Sequence, residues 1–131
     1  MTFFTKNSDN KNQKILYQNA RIIDPKTGFD QIGQLLTIGN KIEDYGQIIF
    51  SGKIPDNVEA IDCHGHVLCP ALIDMQVHFR DPGQTHKEDI ISGSKSAIAG
   101  GIGSVVCQPN TTPTIDNSKI VEDLYVKAKA E

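Results

Sequence analysis

Residues whose side chains could do chemistry are concentrated in two stretches of the chain, residues 72–83 and residues 108–111. In the first stretch, polar residues (Asp74, Gln76, His78 and Arg80) alternate with apolar ones (Ile73, Met75, Val77 and Phe79). If residues 72–80 form a strand, the polar set lies on one face and the apolar set on the other. The inner face of a parallel barrel can hold polar groups that converge on a ligand at the C-terminal end of the strand. The alternation therefore favours a barrel strand that carries a functional site.

A helix is predicted between the two stretches. Residues 85–88, Thr-His-Lys-Glu, have the form of a capping box, which predicts the helix start. Gly100 and Gly101 predict its end. Residues at helical spacing between these limits are Ile90, Ile91, Ser94, Ala97 and Ile98.

A second strand and a second helix are predicted after Gly101. Residues 104–107 read as a strand that runs into Gln-Pro-Asn-Thr at 108–111, where the proline ends ladder pairing. Asp116, Asn117 or Ser118 can cap the helix that follows. Its apolar stripe consists of Ile120, Val121, Leu124, Tyr125 and Ala128.

The resulting βαβα order predicts an α/β fold with a parallel sheet and right-handed crossovers. A complete (β/α)₈ barrel takes roughly 200 residues or more, so residues 71–131 are predicted to be the first two βα units of an incomplete barrel. Two strands cannot close a barrel and would leave edges bare. The remainder is expected either from a longer chain or from a partner.

The first half of the chain has a different pattern. Residues 1–13 are polar and aperiodic, which predicts a disordered tail. From residue 14 to about residue 70, short apolar runs alternate with turn signals such as Asp-Pro-Lys-Thr-Gly at 24–28. This spacing predicts a small antiparallel β domain.

Composition places the protein among soluble globular chains of one-domain size. The 131 residues are 38% hydrophobic and 22% charged, with a formal net charge of -3. Without a basic field, neither nucleic acid nor an anionic membrane is an expected partner. Three cysteines without Cys-x-x-Cys spacing and the lack of a long apolar segment predict reduced thiols and a cytoplasmic location.

The ordered motifs resemble the N-terminal third of class I dihydroorotases, which belong to the amidohydrolase superfamily. The similarity covers about residues 15–131, and its motifs lie at residues 70–83, 87–89, 99–101, 105–111 and 115–117. The resemblance implies a metal-dependent (β/α)₈ TIM barrel flanked by a composite β-sandwich, of which residues 14–70 would be the N-terminal half. It also implies a reaction: the reversible cyclisation of N-carbamoyl-L-aspartate to L-dihydroorotate in pyrimidine biosynthesis.

The resemblance also assigns roles to residues. The family's first-strand His-x-His pair, which binds zinc, falls on Gln76 and His78; Arg80 and Asn110 match its substrate-binding arginine and asparagine. A guanidinium can hold a carboxylate with two hydrogen bonds, and a neutral amide can orient it. Gln76 is a departure, because an amide oxygen is a far poorer zinc ligand than imidazole. Zinc binding by this chain is therefore not expected, and no catalytic residue is assigned within it.

Structural interpretations of the same residues stand beside these roles. His78 and Arg80 would then form a polar pair satisfied by a local carboxylate such as Asp81, and Asn110 would be a turn former. The second His-x-His, at residues 64–66, is interpreted as a solvated turn because of Gly65. Cys107 is interpreted as a small buried thiol rather than a nucleophile.

Three functions remain open from the sequence. The first is a dihydroorotase-like cyclic amidohydrolase whose 131 residues are inactive by themselves. The second, favoured by Gln76, is a non-catalytic dihydroorotase-like partner of a pyrimidine-pathway enzyme. The protein partner is left open between such an enzyme and further copies of this chain in a homo-oligomer. The third is a hydantoinase-like or allantoinase-like hydrolase, which Arg80 and Asn110 disfavour.

Overall fold

The chain folds into two compact units that divide between Pro70 and Ala71. The structure is a computed structural model, and it describes residues 12–129. Most of the predicted disordered tail, residues 1–11, lies outside the described residues. Gln13, the last residue of the predicted tail, is described: its Nε2 donates to Glu59 Oε2 at 3.0 Å, and its backbone carbonyl accepts from the Gly39 amide at 2.8 Å.

The first unit is a single β-sheet of five strands. Its strands are β1 (Lys14–Asp24), β2 (Phe29–Ile38), β3 (Lys41–Gly46), β4 (Val58–Asp62) and β5 (Val67–Leu68). The spatial order is β3-β2-β1-β4, with β5 also paired to β1. Hairpin pairing of β1, β2 and β3 is antiparallel, whereas β4 and β5 run parallel to β1. The prediction of a purely antiparallel domain is therefore wrong, since the return segments after β3 cross over and pair along the other edge of β1.

A bulge in β1 between Tyr17 and Ala20 divides the buried residues of this sheet into two clusters. Leu16 packs with Leu36 and Val58, whereas Ala20 and Ile22 pack with Leu35. The predicted turn at residues 24–28 joins β1 to β2, and Gly28 takes a φ of 74°, a conformation that glycine adopts without a Cβ penalty. The turn prediction is confirmed.

The second unit has the predicted strand, helix, strand, helix order. Its elements are β6 (Leu72–Val77), α1 (Ile90–Ala99), β7 (Ile102–Cys107) and α2 (Ser118–Lys129). β6 and β7 pair in parallel, as the βαβ pattern predicts. The buried core consists of Phe79 from the loop after β6, Ile90 from α1, Val105 from β7 and Leu124 from α2. The α/β class is confirmed.

The first site-bearing strand is shorter than predicted. β6 ends at Val77 rather than at Arg80, and its pairing with β7 is interrupted by irregularities on both sides of residues 73–74. Phe79 is buried, but Ile73 and Met75 of the predicted apolar face are 65% and 69% exposed. Only the C-terminal part of that face is thus packed within this unit.

The start of α1 also differs from the prediction. Asp89, not Thr85, caps the helix: Asp89 Oδ1 accepts from the Ser92 amide at 2.7 Å, and Ser92 Oγ accepts from the Asp89 amide at 3.1 Å. The reciprocal bonds make a capping box at 89–92, four residues after the predicted one. Gly100 ends the helix as predicted, and its amide donates to the carbonyl groups of Ser96 and Ala97.

The sequence offers three residues that could cap the start of α2, at positions 116–118, and in the structure the cap is Asn117. Asn117 Oδ1 accepts from the Ile120 amide at 3.1 Å, which satisfies an N-terminal amide of the helix. Leu124 is buried, with Ile120 and Ala128 packed beside the core. Within residues 12–129, no helix has the length and apolarity needed to cross a bilayer.

Candidate functional site

The two stretches that carry the candidate site residues, 72–83 and 108–111, meet where β6 and β7 end. Both strands run in the same direction, so their C-terminal ends lie at one edge of the sheet. The Gln108 amide donates to the Val77 carbonyl at 2.9 Å, which extends the pairing by one step beyond the strands. This register places His78 and Asn110 at the start of neighbouring loops.

A side-chain hydrogen bond joins those two loops. His78 Nδ1 lies 3.1 Å from Asn110 Oδ1. An amide oxygen only accepts, so the imidazole Nδ1 carries the proton and donates. In neutral imidazole, the lone pair is then on Nε2, which is the atom that can accept a proton or bind another ligand.

Backbone contacts hold the same two loops against each other. The Thr112 amide donates to the Pro82 carbonyl at 3.3 Å. Gly83 has a φ of 99°, and a Cβ at this position would lie 1.9 Å from the Thr112 carbonyl oxygen. Only glycine permits this approach, because any other residue would push the loops apart.

Arg80 lies between two buried residues of the first loop. Phe79 packs its ring against Gly93 of α1, where an added Cβ would lie 2.5 Å from the ring. Asp81 is buried on the other side, while Arg80 itself is half-buried. The Gln84 amide donates to the Arg80 carbonyl at 2.8 Å and closes the loop into a turn.

Asp81 is bound by the helices rather than by its neighbours in the loop. Lys127 Nζ of α2 forms an ion pair with Asp81 Oδ2, and the Ile90 amide, at the first residue of α1, donates to the same oxygen at 3.4 Å. The structural interpretation that Asp81 satisfies His78 and Arg80 is therefore wrong. Sequence reasoning missed Lys127, since the two partners are 46 positions apart and Lys127 lies in an ordinary polar helix turn.

Gln76, which the resemblance places at the family's first metal histidine, is exposed near the end of β6. The backbone amide of Gln76 donates to Asp74 Oδ1 at 2.9 Å, so the Asp74 side chain turns back onto its own strand. Across the part of the chain that the structure describes, no group of three or more His, Cys, Asp or Glu side chains could hold a metal ion. A zinc site needs at least three protein ligands, and the residues present here do not fit one.

The other two candidates from the sequence have structural roles. Residues 64–66 form a turn in the first unit, with Gly65 at a φ of 80° and the His64 amide donating to Asp62 Oδ1 at 2.8 Å. Cys107 is half-buried at the end of β7, and burial raises the pKa of its thiol. A thiol with a raised pKa holds less thiolate at neutral pH and is a poor nucleophile.

Comparison with known proteins agrees with this arrangement. The family model described as "Dihydro-orotase-like" matches residues 65–130. Dihydroorotase of Wolbachia sp. subsp. Brugia malayi (strain TRS) is 55% identical over 121 residues, which are 92% of this chain and 27% of the relative. Dihydroorotase of Ehrlichia canis (strain Jake) is 56% identical over 117 residues, 88% of this chain and 26% of the relative. The chain thus spans about a quarter of the length of the curated relatives it matches.

Solved structures share the fold at low sequence identity. L-Hydantoinase from Arthrobacter aurescens has a TM-score of 0.69 and 19% identity over 87% of this chain and 24% of its own. Molinate hydrolase has a TM-score of 0.65 and 17% identity over 92% of this chain and 28% of its own. With a family match over half of its length, the chain belongs to the dihydro-orotase-like family.

Proposed function

We propose that this chain is the N-terminal part of a dihydroorotase-type amidohydrolase and supplies part of the substrate site. The reaction of the whole protein would be the reversible cyclisation of N-carbamoyl-L-aspartate to L-dihydroorotate, in the cytoplasm. Relatives named dihydroorotase at 55% and 56% identity support the reaction class. The observation that carries the site is the hydrogen bond between His78 and Asn110, which brings both motif loops together.

Arg80 and Asn110 are the proposed substrate-binding residues. Carbamoyl aspartate carries carboxylates, and a guanidinium can donate two parallel hydrogen bonds to one of them. Arg80 is half-buried between two anchored residues, which limits the side-chain entropy lost when it binds. Asn110 keeps its amide nitrogen as a donor while its oxygen accepts from His78, so one side chain can orient both the substrate and the imidazole.

The proposed architecture of the whole protein explains the surfaces left uncovered here. In this proposal, residues 71–131 are the first two βα units of a (β/α)₈ barrel, and residues 14–70 are half of a composite β-sandwich. Exposed apolar residues on β6, including Ile73 and Met75, support this assignment because outward side chains of barrel strands pack against helices. An isolated two-stranded sheet would leave them in water.

Metal dependence is general in this family, but the metal ligands of this chain are incomplete. His78, whose Nε2 takes no part in the hydrogen bond to Asn110, is the proposed contributor, and Gln76 stands at the partner position. Since no cluster of three ligands exists among residues 12–129, we assign no catalytic step to a metal bound by this chain. Its own residues would bind and orient the small-molecule substrate.

A second function is favoured by one specific residue. Gln76 replaces an imidazole with a poor zinc ligand, which is the change expected in a dihydroorotase-like protein that has given up catalysis and serves as a structural partner of another pyrimidine-pathway enzyme. Such a protein would keep the fold but would not need to bind the substrate. Binding of carbamoyl aspartate at Arg80 would therefore support the first function, and absence of binding would support the second.

Metal analysis with a cyclisation assay tests the proposed incompleteness. The 131-residue chain is expected to hold no stoichiometric zinc and to cyclise no carbamoyl aspartate, because His78 is the single histidine at the end of β6 and cannot supply three ligands. Gln76→His should add at most the weak zinc binding of a two-histidine site and no turnover. Gln47→His, at an exposed position of the first unit, measures the zinc that one added histidine recruits. Stoichiometric zinc together with turnover would overturn the proposal.

A further inference from the structure

Asp81 and Arg80 are adjacent in sequence and opposite in charge, yet Asp81 pairs with a distant lysine. Only 6% of the Asp81 side chain is exposed, whereas Lys127 is 43% exposed. The carboxylate also accepts from the first amide of α1, at Ile90. Its negative charge is thus directed between the two helices.

A buried carboxylate left without a cation is strongly unfavourable, so it recruits whichever cation can reach it. The guanidinium of Arg80 is attached to the next residue and can form two hydrogen bonds with a carboxylate. If Lys127 were absent, Arg80 would be the nearest replacement by sequence. An arginine engaged in this way could not also hold a substrate carboxylate.

We infer that Lys127 is a positioning residue that occupies the Asp81 carboxylate and thereby keeps the Arg80 guanidinium available to an anionic ligand. The inference rests on the proposed role of Arg80 in substrate binding. The last turn of α2 suits this task because cations are stabilised near a helix C-terminus, where Lys127 and Lys129 both lie. Lys127 acts through Asp81 and does not touch the substrate.

The sequence makes a direct measurement possible. The chain has two arginines, Arg21 and Arg80, so the Nε–H region of a ¹H–¹⁵N spectrum contains two side-chain signals to assign. Arg21 is bound to Asp30 by two bonds of 2.7 Å and serves as an internal reference for an ion-paired guanidinium. The rate at which each Nε–H exchanges with water reports whether that guanidinium is hydrogen-bonded to a carboxylate, because a hydrogen bond slows the exchange.

In Lys127→Met, Arg80 is expected to pair with Asp81, and its Nε–H exchange should slow about tenfold, the factor that one charge-assisted hydrogen bond supports. Lys127→Arg should restore the normal rate because it keeps the cation. Lys129→Met removes a positive charge from the same helix turn and should change nothing at Arg80. If Lys127→Met does not fold, Lys127→Gln keeps a donor for Asp81 and should slow Arg80 exchange in the same direction.

A double-mutant cycle distinguishes this role from general loosening of α2. Asp81→Asn keeps an acceptor for the Ile90 amide but removes the charge, so Lys127→Met in this background should leave Arg80 exchange unchanged. Equal slowing in the presence and absence of the Asp81 charge would overturn the inference, as would a normal Arg80 rate in folded Lys127→Met. No substrate enters the measurement, so its failure is distinct from failure of the proposed function.

Discussion

At the scale of single residues, His78 and Asn110 are 32 positions apart and share one hydrogen bond. The bond fixes which imidazole nitrogen carries the proton and holds the asparagine oxygen, so each side chain limits the freedom of the other. The sequence motifs single out both residues as candidate site residues. Their contact follows from the parallel pairing of β6 and β7, which brings the ends of the two strands to one edge.

The cap of α1 gives a pH dependence at the same scale. The Ser92 amide, and then the Ser92 side chain, lower the pKa of Asp89 below its ordinary value of 3.8. A carboxyl with a lowered folded-state pKa contributes stability above its unfolded pKa and loses it as pH falls through the folded one. The protection factor of the Ser92 amide, which is its intrinsic exchange rate divided by its observed rate, should therefore fall as the pH is lowered below 3.8. Asp89→Asn, which keeps a neutral cap, should show no such pH step; a step of equal size there would contradict the assignment.

At the scale of elements, β6 ends early because the chain turns to bury Phe79. The ring packs on Gly93 of α1, and Phe79 belongs to the buried core with Ile90, Val105 and Leu124. A period-two pattern continues through Arg80 in the sequence, but tertiary packing overrides it after Val77. The small residue at 93 is what allows α1 to approach the loop.

Gly93→Ala is expected to destabilise the second unit despite the better helix propensity of alanine. The new Cβ would lie 2.5 Å from the Phe79 ring, and overpacking costs about 1–3 kcal/mol, against a propensity gain of about 1 kcal/mol. Urea unfolding should show a lower midpoint than wild type. Ser96→Ala, at an exposed position of the same helix, should not lower it. Phe79→Leu in the Gly93→Ala background should recover part of the loss, and a Gly93→Ala midpoint at or above wild type would contradict the packing account.

The order of strands and helices in the second unit could be predicted from the sequence, but the first residue of α1 could not. Two sequence patterns compete at the start of α1: Thr85 with Glu88, and Asp89 with Ser92. The second one is used because Ile90 must begin the helix in order to enter the core. The parallel return of β4 and β5 was not predictable from alternation, since a strand's periodicity is the same whichever neighbour it pairs with.

At the scale of the whole molecule, each unit has its own core and the chain spans about a quarter of its dihydroorotase relatives. The family and the motif residues were readable from sequence because they are local and ordered. The Asp81–Lys127 pair was not, since it depends on how α2 packs against the loop after β6. The Arg80 and Asn110 side chains are expected to bind N-carbamoyl-L-aspartate in this chain without the rest of the protein.

Titration of the ¹⁵N-labelled chain with N-carbamoyl-L-aspartate tests that claim most directly. The Arg80 Nε–H and Asn110 side-chain signals should shift, while Arg21, held by Asp30, should not. Arg80→Gln should weaken the response about tenfold or more, because a charge-assisted hydrogen bond contributes about 1.5–3 kcal/mol. Arg80→Lys, which keeps the charge but not the planar fork, should be intermediate. Absence of any shift at Arg80 and Asn110, or an undiminished response in Arg80→Gln, would contradict the account.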